Sequence, residues 1–70
     1  MLRSKLAELN RHIDVTERRV VQQRVSIDRL ATLGRSTTET KKLLGELQYH
    51  LDTMTERRRR LLSGHGRKTL

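Results

Sequence analysis

The sequence has no cysteine, no proline, no tryptophan and no phenylalanine, and one tyrosine, Tyr49, in 70 residues. Without cysteine there is neither a disulfide framework nor a thiolate metal site. Without interleaved aromatics there is no stacking platform for single-stranded bases. No apolar run approaches the ~20 residues of a membrane span. The opening stretch MLRSKLAELNRH is broken by charges and has no continuous apolar core, so it does not read as a secretory signal. These absences lead to the expectation of a cytoplasmic protein with no membrane contact.

Arginine, leucine, glutamate, lysine and glutamine are abundant, and all favour helix. Seventy residues make one domain at most. A chain this short buries little of its surface, and its core is marginal unless something supplements it. With disulfides and thiolate metal sites excluded, oligomerisation is the remaining common supplement.

Apolar side chains recur at Leu2, Leu6, Leu9, Ile13, Val20, Ile27 and Leu30. With Thr16 and Gln23 in the gaps, the spacing is an unbroken alternation of four and three, a heptad seam. A second stretch repeats it through Leu44, Leu47, Leu51, Met54, Arg58 and Leu61, and Leu43 and Leu62 widen its stripe. Between the two lies LGRSTTE. Gly34 suits the left-handed residue that closes a helix. Ser36 followed by Glu39 reads as a capping box that opens the next one.

The expected fold is therefore all-α. A single-domain antiparallel helical hairpin has helix 1 over residues 1–33, a turn over 34–36, helix 2 over 37–62 and a flexible basic tail over 63–70. The competing reading is one continuous helix of roughly 60 residues with Gly34 tolerated inside it, at a cost of only ~1 kcal/mol. In the hairpin, residues whose numbers sum to about 71 face each other. The helix–helix interface is then Leu9, Ile13, Val20, Ile27 and Leu30 against Leu44, Leu47, Leu51, Met54 and Leu61. One hairpin covers each seam from one side only, so two hairpins are expected to dock as a four-helix bundle. Thr16 and Gln23 are polar at seam positions. They either fix register and oligomer state or lie at the edge of a loose bundle and reach water. Val21 and Val25, off the seam, suggest a secondary contact face.

The features Arg11-His12, Glu17-Arg18, Gly34, Thr37 with Glu39, and the pair Leu43-Leu44 together resemble a family of short, uncharacterised helical-hairpin proteins of the rhizobial proteobacteria. The resemblance covers roughly residues 10–62. It implies a small cytosolic hairpin and brings no activity with it. The arginine run and the basic end depart from the family's pattern.

Candidate sites are few. His12 and His50 stand on different helices, about 13 Å apart along the axis at 1.5 Å per residue. No His-x₃-His or Glu-x-x-His pair exists to start a metal site. Two helices leave no room for a water-excluding pocket, and there is no phosphate-cradling glycine loop. The expectations are no enzyme activity, no cofactor, no metal and no small-molecule substrate. Asp14 with Arg18 and Glu56 with Arg60 are spaced to pair along one helix face.

The charge carries more information. The net charge is +8, and residues 56–70 hold six basic and one acidic side chain. Four consecutive arginines, Arg57 to Arg60, span about 300° of a helix, which makes a collar rather than a face. Arg58 falls at a seam position, where its stem can lie on apolar surface. In a hairpin the collar lies beside Arg3, Lys5 and Arg11. Arg3, Lys5, Arg57, Arg59, Arg60, Arg67 and Lys68 are thus the candidate contacts for nucleic acid or another anion. They would attract phosphate backbones without reading sequence. The plainer reading is that the arginines are the solvated end of a helix and complement its dipole. The function expected first is a small self-associating protein-interaction module, a homo-oligomer with a possible further protein partner. The alternative is a protein that associates with nucleic acid non-specifically.

Overall fold

A computed structural model describes residues 2–67. It consists of two helices, α1 (Leu2–Thr32) and α2 (Thr38–Arg67), packed against each other as an antiparallel hairpin. The described residues contain no strand. The hairpin measures 57 × 18 × 12 Å.

The continuous-helix reading fails at Gly34, and the backbone there shows why. Gly34 has φ 70°, the only positive φ among the described residues. The Gly34 amide donates to the Ala31 carbonyl at 3.0 Å, and the Arg35 amide to the Leu30 carbonyl at 2.8 Å. This pair of reversed bonds is a Schellman closure, which satisfies carbonyls that the end of α1 would otherwise leave open.

The start of α2 differs from the expected capping box. The Ser36 hydroxyl accepts the Thr38 amide at 3.4 Å, two residues on rather than three. The first helical carbonyl is that of Thr37, which takes the Lys41 amide at 2.9 Å. Thr37 therefore takes the cap position that the spacing gave to Ser36. A hydroxyl that bonds locally across two residues competes with the longer reach of a capping box. Glu39 sits in the first turn of α2 as an exposed acid, where a negative charge is favoured by the helix dipole.

The far end of α2 also differs. The spacing predicts a stop at Leu62 and a tail from 63, but α2 runs on to Arg67. Glycine inside a helix costs ~1 kcal/mol and does not break it. The rest of the predicted tail, including Lys68, lies outside the described residues.

The core is placed unevenly. Leu9, Ile13, Val20 and Met54 are buried, with Thr16 among them. Leu51 and Leu61 pack on the Leu9–Ile13–Met54 cluster and are half-buried. All of these but Val20 and Leu51 lie in the open half, near the chain ends. Toward the turn, Ile27, Leu30, Leu44 and Leu47 are only half-buried. Thr16 is 6% exposed, so it belongs to the core and not to a wet edge. No buried side-chain nitrogen or oxygen among the described residues lacks a hydrogen-bond partner. Gln23 is half-buried. Val21 and Val25 are exposed, as are Leu43, Leu62 and Leu33. Of Leu61 and Leu62, only Leu61 packs on the Leu9 cluster.

A candidate anion-contacting pole

The heptad phase of α2 divides the four arginines into different roles. Arg58 occupies a seam position and is half-buried. Its Nη1 donates to Asn10 Oδ1 at 3.0 Å, across the hairpin. That bond ties the two helices near their free ends. The two residue numbers sum to 68, a few below the 71 that the seam spacing suggests.

Arg59 and Arg60 lie on the outer side of α2 and share one carboxylate. Arg60 Nε stands 3.3 Å from Glu56 Oε2, and the Arg59 guanidinium grips both oxygens of Glu56. Hydrogen bonding from Arg59, with the nearby charges of Arg59 and Arg60 adding to it, holds the Glu56 carboxyl below its ordinary value, while desolvation opposes the shift. The same contact raises Arg59. The expected pair Asp14–Arg18 also forms, at 3.0 Å, with both side chains exposed.

Arg57 borders two surface depressions, one of them with Tyr49, Asp52, Thr53, Glu56 and Arg60. The other is an open groove of about 400 Å³ that it lines together with Lys5, Glu8, Leu9, His12 and Leu61. Leu9 and Leu61 are the apolar residues of the groove, and the polar residues come from both helices. Neither Lys5 nor Arg57 takes part in an ion pair among the described residues. The structure thus brings Lys5 and Arg57 together and leaves Arg3 and Arg11 exposed on α1. Arg67 is the last residue of α2.

Residues 2–12 carry three basic and one acidic side chain and residues 56–67 carry five and one, so this end of the hairpin has net +6. The turn end, residues 30–42, carries three and one, net +2. The middle, residues 13–29 with 43–55, carries four basic and five acidic, net −1. The groove and the Asn10–Arg58 bond are the features that sequence reasoning missed. The signal for both was present: a polar residue beside one seam opposite an arginine within the other. Spacing along one chain does not show which of several nearby residues a long guanidinium reaches.

Among the described residues no three of His, Asp and Glu gather as a metal site, and no helix is long and apolar enough to cross a membrane. Comparison with protein-family models, curated proteins and solved structures finds no match to this chain.

Proposed function

We propose that the protein is a self-associating interaction module whose working form is a homodimer, two hairpins docked as a four-helix bundle. One observation carries this reading. The chain exposes 6048 Å² of surface. A compact monomer of 8.2 kDa exposes about 4,500 Å² by the scaling of folded proteins. The excess is roughly 1,500 Å², nearly twice what one partner gives up in a standard interface of ~800 Å² per side. Among the described residues no side chain is fully buried, so a second copy adds the layer that a two-helix core lacks. We read the role as binding, because two packed helices present open surface grooves rather than an enclosed pocket. The direct test is light scattering on the eluting peak of a size-exclusion column. A mass near twice the monomer is expected, and it should persist at high salt because the apolar part of the contact is not screened by ions.

A second reading has its own observation. The open end carries net +6, and it presents Lys5 and Arg57 with no ion-pair partner among the described residues. Such a pole would contact the phosphates of duplex DNA or RNA without sequence preference. Retardation of a duplex at low salt, lost as salt rises, tests it. Changing Arg57, Arg59 and Arg60 together to glutamine should weaken that retardation. Arg58 is left in place because it ties α2 to Asn10.

A further inference from the structure

We infer that the second copy docks antiparallel, with Leu43 of each hairpin seated over the groove between Lys5 and Arg57 of the other. The inference rests on the self-association reading and adds to it the surface and the orientation.

Residues seven apart share one side of a helix in a heptad array. Stepping back from Arg57, which lines the groove, the same side of α2 carries His50 and then Leu43. One side of the hairpin thus runs from a cationic groove with the apolar residues Leu9 and Leu61 at the open end to a protruding leucine at the turn end. Leu43 is 43% exposed. Glu39 and Glu46 lie four residues before and three after it, and all three border one shallow surface depression with Thr40 and Lys42.

The groove and the depression complement each other locally: Lys5 and Arg57 with Glu8 give net +1, and Glu39 and Glu46 with Lys42 give net −1. Seating Leu43 on Leu61 at the groove brings Glu39 and Glu46 beside the partner copy's Lys5 and Arg57, with Lys42 and the groove's own Glu8 the opposing charges. The alternative, parallel docking on this side, sets Lys5, His12 and Arg57 against their own copies and places net +6 on net +6, where antiparallel docking places net +6 on net +2. Helix axes in contact lie 8–10 Å apart, about one Debye length at physiological salt, so this repulsion is only partly screened. An isologous contact must be self-complementary about a two-fold axis. With Leu43 over the groove, the axis passes near His50 on α2. His50 and Arg19, both exposed, flank it.

The native chain has no cysteine, so a single introduced one reports orientation cleanly. Spin-labelled Arg35→Cys should give a label–label distance of about 50 Å in electron double resonance, from 1.5 Å per residue on each side of the axis. A distance within about 25 Å means parallel docking and overturns the inference while leaving self-association intact. A monomer with no dipolar signal at high protein concentration overturns both. The surface itself is tested by Leu43→Lys, which sets a cation against Lys5 and Arg57. Dimer affinity should fall ~10-fold or more, with the circular dichroism of the hairpin retained because Leu43 is exposed. Adding Arg57→Glu should restore part of the loss. Unchanged dimer affinity in Leu43→Lys overturns the proposed surface.

Discussion

At the scale of single residues, the two described glycines outside the chain end behave oppositely for one physical reason. Gly34 has φ 70° and Gly45 lies within α2, and an added Cβ would meet nothing within 4 Å at either site. Backbone preference alone therefore decides. Gly34→Ala should destabilise by ~1–2 kcal/mol, the cost of a left-handed conformation for an L-residue. Gly45→Ala should stabilise by ~1 kcal/mol through helix propensity. Paired denaturation curves check both signs. Glu56 gives a second residue-scale prediction. Its carboxyl is held below the ordinary value, chiefly by the Arg59 hydrogen bond. A depressed folded value means the stabilisation is present above the unfolded carboxylate value and is lost as pH falls through the folded one. The melting difference between the parent and Glu56→Gln should therefore be largest at neutral pH and close in strong acid. If Arg59 and Arg60 are released, Glu56→Gln should also bind duplex more tightly at low salt. Gly34 was legible in the sequence because glycine's conformational range is a property of the residue itself. The shift of the cap from Ser36 to Thr37 was not, because a serine, two threonines and a glutamate offer several local bonds of similar strength.

At the scale of the elements, the heptad seam placed both helices and their pairing, since a 3.5-residue repeat leaves one apolar stripe per helix to bury. It did not show that burial would be uneven. The seam residues of the two halves look alike in type, yet Ile13 is 3% exposed and Ile27 only half-buried. The difference comes from cross-helix partners. Ile13 has Met54 and Leu9, with Leu51 and Leu61 packed around them, whereas near the turn the polar Thr40 on α2 and Thr37 at its cap stand at equivalent spacing. Ile13→Ala should accordingly cost ~2–4 kcal/mol, in the range of large-to-small changes in a core. Val21→Ala, on an exposed site, should cost well under ~1 kcal/mol. Urea denaturation at fixed protein concentration ranks the two. The paired change Val20→Asp and Leu51→Asp puts charges into the seam itself. Helix content should collapse in circular dichroism, because an unpaired buried charge costs more than a two-helix core supplies.

At the scale of the whole molecule, two quantities dominate: a surface too large for its mass and a charge gathered at one end. The net charge of each end could be counted from the sequence once the hairpin was inferred, so the basic pole was legible. How the pole divides was not. Arg58 bonds to Asn10, Arg59 and Arg60 hold Glu56, and Arg57 faces the groove, and those fates depend on where each side chain emerges around the helix. The surface excess appears only with the fold in hand. Sedimentation equilibrium over a wide concentration series, at moderate and at high salt, tests self-association most directly. The account predicts a mass that rises to twice the 8.2 kDa of the chain and holds at high salt. A single monomer mass across the whole series, with helix content intact, would contradict it.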